Sequence, residues 1–199
     1  MLVIALTGGI GAGKSSAGSL LAQLGAIHIN ADQLAREILE RGEEGYNQVI
    51  AHFGDEVLSS GAIDRQKLAE IVFNDSAKRE SLEKITHPLI YQRFKEIRKS
   101  LPENSVLVYE IPLLAENSER ATEFDLILSI ETAEEIRFQR LTERGLHPHQ
   151  IRGRIAAQSS DEDRRVLAHH VIENNGDREA LLRSLEQWWA EFIAPKLLN

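Results

Sequence analysis

The residues Gly8-Gly9-Ile10-Gly11-Ala12-Gly13-Lys14-Ser15 carry the spacing G-x-x-x-x-G-K-S, and the chemistry suited to that spacing is the holding of phosphate. Glycines let the backbone wrap closely enough for its N–H groups to face phosphate oxygens. The lysine that follows places an ammonium beside the outer phosphates, and the serine hydroxyl suits Mg²⁺. The flanks agree with this use. The apolar run Leu2–Leu6 leads into the loop and a helical pattern, Lys14–Leu24, leaves it, so a positive helix end joins the same anion. A dinucleotide-binding turn, G-x-G-x-x-G, is the rival. Begun at Gly9, that turn needs a glycine at position 14, where Lys14 stands. The expected nucleotide-binding residues are therefore Gly8, Gly9, Ile10, Gly11, Ala12, Gly13, Lys14, Ser15 and Ser16.

A second concentration of chemistry lies at Arg137–Arg165, where 29 residues hold seven of the chain's 16 arginines and no lysine. A planar guanidinium clasps a transferring phosphoryl group through two oxygens, which an ammonium does not. A solvated helix laced with ion pairs would need acids beside those arginines. Arg137–Arg154 offers only Glu143. A guanine-nucleotide switch would require Asn-Lys-x-Asp and Asp-x-x-Gly, and neither string occurs. Large motor ATPases need more length. A small kinase with an arginine-rich lid remains.

The elements that must position these groups follow from the apolar pattern. Strand-length runs stand at Leu2–Leu6, Ala26–Ile29, Val106–Tyr109, Leu126–Ile130 and His170–Ile172. They are rich in Val, Ile and Leu without clean alternation, as in a parallel sheet covered on both faces. Helical patterns lie between them at Lys14–Leu24, Asp32–Arg41, Arg65–Phe73, Ala77–Ser100, Ala133–Arg144 and Arg178–Ile193. The alternation predicts an α/β, three-layer phosphate-loop fold with a parallel five-stranded sheet. The span from Asn30 to Val106 is too long for a crossover and reads as a helical insertion that holds the acceptor. The expected division is a core of 1–32, 101–136 and 166–199, an acceptor domain of 33–100, and a lid of 137–165.

With 42% apolar and 27% charged residues, the chain has the composition of an ordinary globular protein. It has no cysteine, which excludes disulfides and thiolate chemistry and fits a reducing compartment. A net charge of -8 argues against nucleic acid as a partner. The N-terminal apolar run is too short for a signal or a membrane span. The expectation is a cytoplasmic enzyme with no membrane partner, a monomer or small homo-oligomer.

The string Ala5 to Ser15 resembles the opening of the dephospho-coenzyme A kinase family. Five further segments match it in order: Asn30-Ala31-Asp32 with Ala35-Arg36, His87-Pro88-Leu89-Ile90, Pro112-Leu113-Leu114 with Glu116, Arg154-Ile155-Ala156-Ala157-Gln158, and Val171-Ile172 with Asn174-Asn175-Gly176. The resemblance implies ATP-dependent phosphorylation of the ribose 3'-hydroxyl of dephospho-coenzyme A, the last step of coenzyme A synthesis, with ATP and Mg²⁺. The alternatives are another small nucleoside or nucleotide kinase and a catalytically silent ATP-binding regulator. Two departures stand out. Asn30 replaces the first acid of the family's Asp-Ala-Asp, and His169-His170 stand where an acid is common.

Roles can then be assigned. Asp32, where a strand opens into a helix, orients the acceptor hydroxyl and takes its proton; the plain alternative is a helix cap. Lys14 and Arg140 act on the transferred phosphate, with Arg144 second. Glu110, after the third strand, holds a Mg²⁺-bound water while Ser15 binds the ion; the plain alternative is a solvated acid at the strand end. Asn174 and Asn175 meet the adenine edge or merely make a turn. Arg36, His87, Leu113 and Glu116 belong to the acceptor side; for His87 the alternative is capping or packing at a helix start before Pro88, and for Glu116 a structural role.

Overall fold

The computed structural model describes residues 1–112 and 114–197, with the side chains of 116–118 outside the description. In chain order the elements are β1 (Leu2–Thr7), α1 (Lys14–Gln23), β2 (Ile27–Asn30), α2 (Ala31–Glu37), α3 (Glu44–Phe53), β3 (Leu58–Ser59), β4 (Ala62–Ile63), α4 (Arg65–Asn74) and α5 (Ser76–Ser100). Then come β5 (Val106–Glu110), β6 (Leu126–Glu131), α6 (Glu134–Glu143), α7 (Pro148–Ala156), α8 (Asp161–Leu167), β7 (His170–Glu173), α9 (Arg178–Trp188) and α10 (Ala194–Leu197).

The chain divides into two compact units, residues 1–30 with 102–199, and residues 31–101. The first holds a five-stranded sheet in the order β2-β5-β1-β6-β7, every neighbouring pair parallel. The expected α/β class and sheet are found. Strand residues alternate between faces, and Ile4, Leu6, Val108, Leu128 and Ile130 pack with Leu20 and Leu21 of α1 and Leu185 of α9 in one buried cluster. On the opposite face Glu131 takes the guanidinium of Arg165 from α8 at 2.7 Å. Trp188 closes the first cluster, 5% exposed, and Trp189 packs against it only partly buried.

The second unit is helical, with Val49, Phe53, Val57 and Leu68 at its centre. The apolar pattern did not mark α3 or the β3–β4 hairpin as elements. The hairpin has two-residue strands, too short to show alternation. Its turn is legible afterwards, with Ser60 at φ 50° and Gly61 at φ 77°, the pair of positive angles that matches the twist of tight hairpins. Tyr46 of α3 donates to the Gly61 carbonyl at 2.7 Å and pins it. The boundary between the units falls after Asn30, so Asp32 belongs to the helical unit rather than to the end of the core segment.

Candidate active site

β1 carries the chain to Gly8 at the carboxyl edge of the sheet, where ligands of open α/β folds collect. Gly8 sits at φ 147°, and a Cβ there would stand 2.2 Å from the Ile130 carbonyl oxygen, so the loop leaves the sheet by a path only glycine fits. Gly13 ends the loop in the left-handed region (φ 97°, ψ 23°), and no side chain caps the N-terminus of α1. The helix start brings its partial positive charge to the end of the loop. Lys14 folds back over the loop, its Nζ donating to the carbonyls of Gly8 at 2.8 Å and Gly9 at 3.1 Å.

Beside the loop, Ser15 Oγ donates to Glu110 Oε1 at 2.8 Å. Glu110 ends β5 and is 2% exposed. Its other oxygen, Oε2, accepts from Asn30 Nδ2 at 2.8 Å and meets His28 Nε2 at 3.1 Å. β2 pairs with β5 so that Asn30 lies opposite Glu110, and His28, two residues earlier, shares the face of Asn30. Burial pushes the Glu110 carboxyl up. The hydrogen bonds from His28 and Ser15, with the charges of His28 and Lys14, outweigh it and hold the group below the ordinary carboxylate value. Glu110 is a buried anion turned toward the serine of the phosphate loop.

The other side of the loop is held by residues that follow β6 and β7. Asn174, 6% exposed, donates Nδ2 to the Ala12 carbonyl at 2.8 Å. Thr132 Oγ1 lies 3.1 Å from the same carbonyl. Asn175 Oδ1 accepts from the Ala133 amide at 2.9 Å. Both asparagine amides, open from sequence to the adenine edge or to a turn, engage backbone here, and the register of β7 against β6 brings Asn174 over the loop. Arg140 Nη2 donates to the carbonyls of Asn174 and Gly176, each at 3.0 Å. Those bonds hold its guanidinium beside the loop, with Nη1 4.0 Å from where a Gly13 Cβ would be. Arg144, at the end of α6, is exposed.

Two arginines singled out only as part of the run are buried: Arg137, 5% exposed, and Arg164, 3% exposed. They converge on Gly9, where a Cβ would meet Arg137 Nη1 at 2.3 Å and Arg164 Nη2 at 3.2 Å. Both pair with Asp161, Arg137 at 3.4 Å. Gln158 Oε1 accepts from the Ile10 amide at 2.7 Å. The segment from 158 to 164 thus ties to the front of the loop. Sequence reasoning missed His28, Gln158 and these two arginine contacts. The available signals were a histidine inside an apolar strand and the glutamine that ends Arg154-Ile155-Ala156-Ala157-Gln158.

In the helical unit, Asp32 and Arg36 occupy the first and last turns of α2, both exposed. Asp32 lies inside the helix, one residue past its start. His87 is exposed within α5, which runs on through Pro88, so no helix begins there and that packing alternative falls. Leu113 and the side chain of Glu116 lie outside the described residues. Of the departures noted in the sequence, Asn30 serves Glu110, and His169 Nδ1 accepts the Ile127 amide at 3.0 Å. His170 packs on Phe192, ring centroids 4.1 Å apart.

The family model for dephospho-CoA kinase matches residues 2–179. The chain belongs to that family. A dephospho-CoA kinase of Thermobifida fusca is 40% identical over 96% of each chain. One of Mycolicibacterium paratuberculosis is 44% identical over 98% of this chain, which spans only 48% of that relative's length. Among solved structures, a dephospho-CoA kinase from Campylobacter jejuni has a TM-score of 0.72 at 27% identity, covering 95% of this chain and 96% of the other. Among the described residues of this kinase, no helix is long and apolar enough to cross a membrane.

Proposed function

We propose that this kinase moves the terminal phosphoryl group of ATP to the ribose 3'-hydroxyl of dephospho-coenzyme A, giving coenzyme A and ADP. The observation that supports the phosphoryl-transfer half is the loop from Gly8 to Ser15 with an uncapped α1 and Glu110 hydrogen-bonded to Ser15. The acceptor follows from membership of the family across residues 2–179.

The loop amides, the α1 N-terminus and Lys14 suit a polyphosphate. Ser15 Oγ and the anionic Glu110 offer the hard oxygen chemistry that Mg²⁺ takes while keeping most of its waters. Ser15 would hold the ion and Glu110 one of its waters; the ion neutralises charge on the outer phosphates when bound. Lys14 exchanges its two carbonyl contacts for phosphate oxygens, so its ammonium follows the charge of the ligand. Arg140 contributes a positive charge already fixed beside Gly13, and a fixed charge needs no reorganisation as the phosphoryl group transfers. Arg144, exposed on the same helix, is the second arginine for the phosphates. Asn174 shapes the loop from behind, and Asn175 shapes the start of α6. Asp32 receives the hydrogen bond of the acceptor hydroxyl and accepts its proton, leaving the oxygen to attack. Arg36, His87, Leu113 and Glu116 are assigned to the acceptor side.

The test is ADP release with dephospho-coenzyme A, compared with AMP, adenosine and no acceptor. Release that depends on dephospho-coenzyme A supports the proposal. Release that depends on AMP or adenosine makes the chain another nucleotide or nucleoside kinase, and binding of ATP without any release makes it a silent regulator.

A further inference from the structure

We propose that His28 is a positioning residue of the phosphate-transfer site, holding Glu110 so that one oxygen, Oε1, faces Ser15. The inference rests on reading Glu110 as the metal-side acid. Glu110 Oε1 is met by Ser15 Oγ at 2.8 Å, and Oε2 by Asn30 Nδ2 at 2.8 Å and His28 Nε2 at 3.1 Å. A glutamate carboxylate turns about a broad, two-fold terminal torsion. A single donor on Oε2 leaves that turn open. Two donors converging from the same face of β2 close it and leave Oε1 to the serine. Since an ionised carboxylate only accepts, the His28 nitrogen facing it is the protonated one.

A second feature points to the same role. The His28 ring occupies the space above Gly18 in the middle of α1, where a Cβ would stand 2.2 Å from Nε2 and 2.4 Å from Cε1. Glycine weakens a helix interior, and here it leaves room for the ring that reaches Glu110. The helix that carries Ser15 is thus also the helix that seats the histidine. Ser15, Gly18, His28 and Glu110 form one assembly built from α1, β2 and β5. Partners that orient a metal-facing group in this way change metal affinity by roughly 10–100-fold when removed.

The experiment measures Mn²⁺ binding to the enzyme with bound ADP by electron paramagnetic resonance, with melting temperature alongside. The variants are His28→Leu, His28→Gln, Gly18→Ala and Glu110→Gln. His28→Leu removes the donor, and Gly18→Ala displaces the ring while leaving the histidine in place. Each is expected to weaken Mn²⁺ by about 10-fold or more. His28→Gln, which returns an N–H donor, recovers most of that loss, and the KM for dephospho-coenzyme A stays unchanged in the His28 and Gly18 variants. A purely structural histidine would lower the melting temperature without moving Mn²⁺ affinity, and that result overturns the proposal. Should His28→Leu not fold, Gly18→Ala and His28→Gln decide by the same criterion. Glu110→Gln separates the two levels. If it weakens Mn²⁺ while the His28 and Gly18 variants do not, Glu110 keeps its role and His28 loses the one proposed. If Glu110→Gln binds Mn²⁺ normally, both fall together.

Discussion

Replacing Asn174 by alanine separates two jobs that one side chain was open to from sequence: reading the base, or holding the loop. In the structure its Nδ2 donates to the Ala12 carbonyl at 2.8 Å and the residue is 6% exposed. Alanine deletes a buried hydrogen bond and leaves a small void, while Thr132 Oγ1 stays 3.1 Å from Ala12 O and keeps that carbonyl from being orphaned. The loss is then about 0.5–1.5 kcal/mol. For a chain of this size each kcal/mol lowers the melting temperature by roughly 2–4 °C. Loosening Ala12 also loosens Gly13, so affinity for ATP and GTP should fall together and their ratio should stay fixed. Asn174→Asp should be worse than alanine, since it turns an acceptor toward the Ala12 carbonyl and buries a charge. The assay is thermal melting plus equilibrium binding of the two nucleotides. An unchanged melting temperature with a tenfold shift in the ATP-to-GTP ratio would refute the loop-holding role.

Three further outcomes follow from the same geometry. Lys14→Ala should cut kcat by about 10²–10³, as expected for one electrostatic donor to a developing charge, with the fold intact; a rate above a tenth of wild type counts against it. Asp32→Asn, on an exposed helix turn, should lower kcat by roughly 10²–10⁴ with little change in ATP affinity or melting temperature, whereas near-normal turnover would remove Asp32 from the reaction. Glu110 titrates below its ordinary value in the folded state, so its contribution to stability is complete above that ordinary value and lost as pH falls through the folded one. The stability gap between wild type and Glu110→Gln should therefore shrink on acidification from about pH 5 toward pH 3. A gap that widens over that range contradicts the assigned charge.

The loop from Gly8 to Ser15 was legible because each residue answers a local demand: positive φ at Gly8 and Gly13, a helix start, a charge. The five strands were legible because burial on both faces leaves runs such as Val106–Tyr109 almost wholly apolar. What escaped depends on register and packing across the fold. Asn174 has one identity and two uses open to it, and its place over Ala12 is set by β7, whose following amide pairs with the Glu131 carbonyl at 2.7 Å. Gly18 and His28 are ten residues apart in different elements, and nothing in their spacing says that one seats the other. Arg137 and Arg164 looked like their neighbours in an arginine-rich run. Only the packing of α6 and α8 onto Gly9 and a shared Asp161 sets them apart.

The most direct test of the central claim is the identity of the phosphorylated product. Purified enzyme would be incubated with MgATP and dephospho-coenzyme A, and the product examined by mass and phosphorus NMR. The account predicts one new phosphomonoester, on the ribose 3'-oxygen, formed in equal amount to ADP and lost with Lys14→Ala. ADP formed without that ester, or an ester on any other oxygen, would contradict it.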